Sequence, residues 1–322
     1  MQILRSLAEA AAAGALRGGA VAIGNLDGVH LGHRALLARA LELARAGGGR
    51  AGALTFEPHP ARVLRPALAP PLVTPLPRKL ELLAGAGLDA VVVQPFDLGY
   101  AATPVADFVG RDLAGALGAR AVVVGHDFTA GHERARIEAL GPLLAARGIA
   151  LEVVAPVAEG GLVVSSTKIR EFLLEGQVEA AALLLARPHD VDGVVVRGAG
   201  RGRGLGFATA NVGTDGLLPA RGVYAVRVRV GGRPGPLGAS GAAAHDGVCN
   251  VGVKPTVELD GRVTAEAHLF GFDGRDLYGE PIRVAFVARL REERRFGSLD
   301  ALRAQIAEDA ARARELLAPG VR

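Results

Sequence analysis

Apolar residues recur along this chain with two rhythms, and the change between them divides it in two. From residue 20 to about residue 185, short β-branched runs alternate with stretches of helical spacing: Val21-Ala22-Ile23, then residues 33–46, then Ala53-Leu54-Thr55-Phe56. Strand, helix, strand is the pattern of a βαβ unit. Within residues 33–46, Leu36, Leu37, Ala40, Leu41 and Ala44 return every three or four positions, which predicts an apolar stripe laid against a sheet. Further strands are predicted at 90–93, 121–124 and 151–154. Thr103-Pro104 predicts an N-cap followed by proline at the first position of a helix reaching Leu117. The first half reads as a doubly wound parallel sheet.

Past Arg187-Pro188-His189 the rhythm becomes β-branched alternation separated by glycine. Strands are predicted at 194–196, 224–230, 248–253, 264–270 and 282–287, the pattern of an antiparallel barrel or sandwich. Residues 231–247 are rich in glycine and alanine without period and predict a loose loop. Residues 298–317 place Leu299, Leu302 and Ile306 on one helical face and predict a closing amphipathic helix.

Composition adds limits. A chain of 322 residues suits two domains, expected at 1–185 and 186–322. Half its residues are hydrophobic and 22% charged, and no apolar run approaches the ~20 residues that span a bilayer. The alanine-rich start carries charges and lacks the form of a signal peptide, so a cytoplasmic protein with no membrane partner is expected. The single cysteine, Cys249, excludes an intramolecular disulfide and a cysteine metal cluster. The net charge is only +4, and just three of the 37 basic residues are lysines (Lys79, Lys168, Lys254). The arginines are scattered rather than clustered, so nucleic acid is not expected as a partner.

Chemistry concentrates first at Gly24-Asn25-Leu26-Asp27-Gly28-Val29-His30-Leu31-Gly32-His33, between a predicted strand and a predicted helix. That is the carboxyl end of the sheet, where open α/β folds bind ligands. Gly24, Gly28 and Gly32 would let backbone approach a phosphate, and His30 and His33 can donate to one anionic group. Two histidines there suit charge developing on an α-phosphate during in-line displacement, which points to a nucleotidyltransferase working on ATP. Ser165-Ser166-Thr167-Lys168-Ile169-Arg170 opens a helix with hydroxyls, free N–H groups and two cations, a phosphate-binding pattern that is equally an ordinary serine N-cap. No Gly-Lys dipeptide occurs, which excludes a Walker A loop. In the second half, Gly198-Ala199-Gly200-Arg201-Gly202-Arg203-Gly204-Leu205-Gly206 lacks the dinucleotide spacing but suits a backbone cradle for phosphate.

Taken in order, residues 23–33, Thr55-Phe56-Glu57-Pro58-His59-Pro60, Val124-Gly125-His126-Asp127-Phe128, residues 165–170 and Phe207-Ala208-Thr209-Ala210-Asn211 resemble the bacterial bifunctional riboflavin kinase/FMN adenylyltransferases, or FAD synthetases. The resemblance spans nearly the whole chain. It implies a Rossmann-like nucleotidyltransferase sheet followed by a six-stranded riboflavin kinase barrel with a closing helix. In the first domain it implies that His30 and His33 assist adenylyl transfer from ATP to FMN. Gly24, Asn25, Asp27, Gly28 and Asp127 would then form the nucleotide site. Ser165, Ser166, Thr167, Lys168 and Arg170 would hold pyrophosphate, with Phe56, Pro58 and His59 beside the flavin. In the second it implies that Gly202, Arg203, Gly204 and Gly206 cradle ATP, that Thr209 and Asn211 hold Mg2+, and that Glu266 is the base on the riboflavin 5′-hydroxyl. Arg291 and Glu292 would lie near a flavin-binding flap. Both steps would need magnesium.

The chain departs from the family at three places: Thr129-Ala130-Gly131-His132-Glu133-Arg134 replaces an aromatic, glycine and basic loop, Ala208 a proline, and Gly271 an acidic or amide residue. A chain with one surviving activity, or a flavin- or RNA-binding regulator, are the competing readings.

Overall fold

In the computed structural model the chain folds as two compact units, Met1–Pro71 with Leu76–Val164, and Leu72–Pro75 with Ser165–Arg322. The structure describes residues 1–197, 208–231, 244–253, 263–272 and 276–318.

The first unit is built on six strands: β1 (Gln2–Leu4), β2 (Ala20–Ile23), β3 (Ala51–Glu57), β4 (Ala90–Pro95), β5 (Ala121–Gly125) and β6 (Ala150–Val154). They lie in the order β1-β4-β3-β2-β5-β6, and every pairing is parallel. A parallel sheet is covered on both faces, which is why its central strands are apolar without interruption. The two faces still alternate. Val21, Ile23, Leu54, Val122 and Val124 pack with Leu113, Leu117 and Leu140 on one side. Ala20, Ala22, Ala53, Val91 and Val123 pack with Leu36, Leu37 and Ala40 on the other. From β2 the chain proceeds to β3 and from β5 to β6, in opposite directions across the sheet. A crevice therefore opens at the carboxyl ends of β2 and β5, the switch point of such a sheet. A short hairpin, β7 (Ala158–Glu159) and β8 (Leu162–Val163), ends this unit.

Two local expectations need correcting, and one strand is an addition. Residues 2–4 pair as an edge strand, although three residues give no readable period. The helix after β2 runs Leu31–Ala46, so His33 lies in its first turn and His30 is its N-cap. Beyond Thr103, helix begins at Val105 with Pro104 extended, and Phe108–Ala116 winds as a π-helix. The Leu117 N–H accordingly reaches the Asp112 carbonyl, five residues back, at 2.9 Å.

The second unit carries helices Ser166–Leu174 and Val178–Leu185, then a closed antiparallel barrel. Its strands are β9 (His189–Val196), β10 (Ala208–Gly213), β11 (Gly222–Val230), β12 (Ala244–Val253), β13 (Val263–Leu269) and β14 (Pro281–Arg291), in the order β10-β13-β12-β11-β14-β9. β12 starts within the stretch read as a loose loop. Its pairing with β11 from Ala244 onwards imposes extended backbone, and Gly247 fits because an added Cβ would stand 2.4 Å from the His268 carbonyl oxygen. The closing helix is Leu299–Leu317, capped by the Ser298 hydroxyl, which accepts the Ala301 N–H at 3.2 Å. Its inner face is the predicted one, with Leu302 and Ile306 half-buried on it, although its first turn stands clear. Leu299 is 71% exposed, while Gln305, Asp309, Ala310, Ala313 and Leu317 are covered. The polar residues of that face are anchored: Arg291 at the end of β14 holds Asp309 through Nε at 3.0 Å and Nη2 at 2.7 Å, and Gln305 donates to the same carboxylate at 2.9 Å.

Candidate active sites

The loop after β2 stands in the crevice and has an unusual backbone. Leu26, Gly28 and Val29 have φ of 52°, 91° and 42°. A β-branched residue in the left-handed region is a strained position that surrounding structure must enforce. The enforcement is burial: the Leu26 and Val29 side chains are fully covered in the core beneath the helix Leu31–Ala46. The three glycines differ in what their own backbone asks of them. Gly28 needs its positive φ, and at Gly32 an added Cβ would crowd the His30 ring at 3.2 Å. A Cβ at Gly24 would make only ordinary contact with Leu26.

His30 and His33 come together. Their rings stack with centroids 3.6 Å apart and planes inclined by 16°. The His30 Nδ1 caps the helix by accepting the His33 N–H at 3.3 Å. Burial, then the charges of His30 and Lys79, hold the His33 imidazole well below its ordinary pKa. Its Nδ1 is buried with no hydrogen-bond partner among the described residues. Asp27 is only 2% exposed. The arrangement offers imidazole N–H donors and a helix N-terminus to an anion. Asp127 follows β5, on the other side of the switch point, and is exposed.

Phe56 ends β3 and joins Phe96 and Tyr100 in an aromatic cluster with centroids 5.7 to 6.1 Å apart. The Glu57–Pro58 peptide is cis, and His59 Nδ1 caps the helix Pro60–Leu64 through the Ala61 N–H at 3.2 Å. Tyr100 also borders a cavity lined by Gln94, Thr103, Arg111 and Asp112. Its hydroxyl donates to Asp112 at 3.0 Å, and burial followed by the Asp112 charge raises its pKa.

Residues 165–170 open the second unit. Ser165 caps the helix Ser166–Leu174 by accepting the Lys168 N–H at 3.1 Å. Lys168 pairs with Glu171 at 2.6 Å, Arg170 is buried, and Ser166 and Thr167 occupy the first turn.

On the barrel, β13 alternates between buried Ala265, Ala267 and Leu269 and half-buried Thr264, Glu266 and His268. Glu266 stands directly opposite Asn211 of β10 on one side and Asn250 of β12 on the other. Thr209 stands opposite His268, and its hydroxyl is 2.9 Å from His268 Nδ1. Burial lowers the His268 pKa while the Glu266 charge opposes that shift. Val248, the other neighbour of His268, packs with Ala313 and Leu317 of the closing helix, so this polar row lies on the outside of the barrel. Oxygen donors of threonine, asparagine and glutamate on neighbouring strands fit a hard cation carried with phosphate. Gly202, Arg203, Gly204 and Gly206 lie outside the described residues. Arg291, expected near the flavin flap, is engaged by Asp309, and Glu292 beside it is exposed.

Sequence reasoning missed Lys79, Thr55, Asn250 and His268. Lys79 had a readable signal: it shares a helical face with Leu76, Leu80 and Leu83, where a cation is out of place. Asn250 and His268 become neighbours of Glu266 and Thr209 only through strand register.

The chain matches the family model for FAD synthetase over residues 13–168 and the model for riboflavin kinase over residues 185–317. The bifunctional riboflavin kinase/FMN adenylyltransferase of Pseudomonas fluorescens is 39% identical to it over 94% of each chain. That of Escherichia coli K12 is 38% identical over 91% of each, and that of Bacillus subtilis strain 168 is 33% identical over 90% of this chain and 89% of its own. A crystal structure described as a macrolide-efflux protein from Streptococcus pneumoniae shares the fold, with a TM-score of 0.80 and 29% identity over 91% of this chain and 92% of that one. With two domain families in this order and relatives similar from end to end, the chain belongs to the bifunctional riboflavin kinase/FMN adenylyltransferase family.

Proposed function

We propose that this chain makes FAD from riboflavin in two ATP-dependent steps, divided between residues 186–322 and residues 1–185. In the barrel, Glu266 takes the proton of the riboflavin 5′-hydroxyl as that oxygen attacks the γ-phosphate of ATP, giving FMN and ADP. In the sheet domain, an FMN phosphate oxygen attacks the α-phosphate of a second ATP, the α–β bond breaks, and FAD and pyrophosphate result. His30 and His33 donate to the α-phosphate as its charge grows. Gly24, Asn25, Asp27, Gly28 and Asp127 shape the nucleotide site. Ser165, Ser166, Thr167, Lys168 and Arg170 supply further phosphate ligands, and Phe56, Pro58 and His59 border the flavin. Magnesium neutralises phosphate charge when bound, and Thr209 and Asn211 are the residues that would hold it in the kinase. The reading places the enzyme in the cytoplasm with riboflavin, FMN and ATP as its partners.

What carries this reading is that one chain holds two separate phosphate-chemistry constellations, the stacked histidines at a switch point and Glu266 between two asparagines. Each sits in the region matched by the corresponding family model. The test is a time course of the pure protein with riboflavin and Mg-ATP. FMN is expected first and FAD after it. FMN that never becomes FAD, or FAD formed only from added FMN, would reduce the chain to one activity.

A further inference from the structure

The loop after β2 is held from beneath by a cation that the loop does not supply. Lys79, on the helix Leu76–Gly85, is 4% exposed, with Nζ 3.0 Å from the Asn25 carbonyl oxygen and 3.4 Å from Thr55 Oγ1. The Thr55 hydroxyl donates to the same carbonyl at 3.0 Å. One peptide oxygen of the loop thus accepts two hydrogen bonds, one of them from an ammonium group.

That oxygen belongs to the peptide plane joining Asn25 to Leu26, and Leu26 is the first of the loop's residues at positive φ. Fixing the direction of this carbonyl fixes the plane from which the Leu26 backbone turns, and so the entry to the strained run that ends at His30. A conformation this unfavourable persists only where its surroundings over-determine it. An ammonium group is also an expensive way to fill space: on a helix face shared with Leu76, Leu80 and Leu83, a methionine would pack without desolvating a charge. Glu57 and then Asp27 offset part of that cost, since their charges support the Lys79 ammonium against burial. The charge also reaches His33, where it acts with burial and His30 to favour the neutral ring.

We propose that Lys79 is a positioning residue for adenylyl transfer, which, with Thr55, fixes the Asn25–Leu26 peptide and through it the placement of His30 and His33 against the ATP phosphates. This rests on the adenylyltransferase reading of the sheet domain. FAD formation by the unsubstituted chain is therefore measured first, and its absence would sink that reading rather than this one.

The test uses the full chain carrying Lys79→Met, with FAD formation from FMN and FMN formation from riboflavin measured on one preparation. The expected result is a fall of about ten- to a hundredfold in kcat for FAD, with KM for FMN unchanged and the kinase rate intact. In Lys79→Ala, added methylammonium is expected to restore part of the lost kcat, whereas tetramethylammonium, which cannot donate a hydrogen bond, restores none. Unchanged kcat in Lys79→Met, or equal rescue by both cations, would overturn the proposal. Should Lys79→Met fail to fold, Thr55→Val decides, because it removes the other donor to the same oxygen without touching the charge. A several-fold loss of kcat for FAD supports the anchor, and an unaltered rate refutes it.

Discussion

His30 and His33 face each other ring to ring, 3.6 Å between centroids, while His30 Nδ1 accepts the backbone N–H of His33. His30 therefore caps the helix and, in the proposed function, also donates to phosphate, and substitution can separate the two. His30→Ala removes both, at a cap cost of about 1 kcal/mol. His30→Asn keeps a cap acceptor and loses the imidazole. Both variants are expected to lose FAD formation by roughly a hundredfold or more while forming FMN normally. Only the alanine variant should melt earlier. Normal FAD formation by His30→Asn would show that the cap is all the residue provides.

The half-buried His33 ring, with its Nδ1 covered, links stability to pH. Its folded pKa lies below the unfolded value of about 6.5, so the unfolded chain binds the extra proton first. Stability is fully present above the unfolded value and drains away as pH falls through the window down to the depressed folded pKa. Urea unfolding of the wild type and His33→Gln at several pH values is expected to show the wild type losing ground from about pH 6.5 downward. Parallel pH dependence of the two proteins would exclude this.

Glu266 between two asparagines offers a separate handle on the kinase. Glu266→Ala is expected to abolish FMN formation and to leave FAD formation from supplied FMN. Asn250→Asp sets a second carboxylate directly across from Glu266, the proposed base, and like charges so close favour proton retention. The acid limb of the kinase pH profile should move upward. A retained kinase in Glu266→Ala would remove it as the base.

Val29 weighs strain against burial. Replacing it by glycine relieves a left-handed backbone worth about 1–2 kcal/mol, but gives up a buried side chain worth about 1.5–3 kcal/mol and adds unfolded-state freedom of about 0.5–1 kcal/mol. Burial should win, and Val29→Gly is expected to unfold more easily by about 1 kcal/mol, read from its urea midpoint. A more stable variant would mean that the loop stores more strain than its backbone angles imply.

The central strands and the helix after β2 were legible because burial on two faces and on one stripe leaves a period in the residues themselves. β1 was not, having three residues and one partner. On the closing helix the apolar side of the inner face was legible, but its buried polar members were not, because Asp309 is held by Arg291 and Gln305 by Asp309, which hydrophobicity cannot signal. The histidine pair was legible because its members are three residues apart on a helix start. Lys79 reaches Asn25 from 54 residues away, and Asn250 meets Glu266 only in a formed sheet, so neither relation exists in the linear chain.

β9 pairs with both β10 and β14, so the first barrel strand in the chain is sealed by the last. On a ribosome, every strand of the parallel sheet is already complete at residue 154, while the barrel has no closing partner for β9 until residues 281–291 have emerged. Until then β9 and β11 each present a bare edge, and that interval is when a nascent chain of this protein most needs shielding from its neighbours.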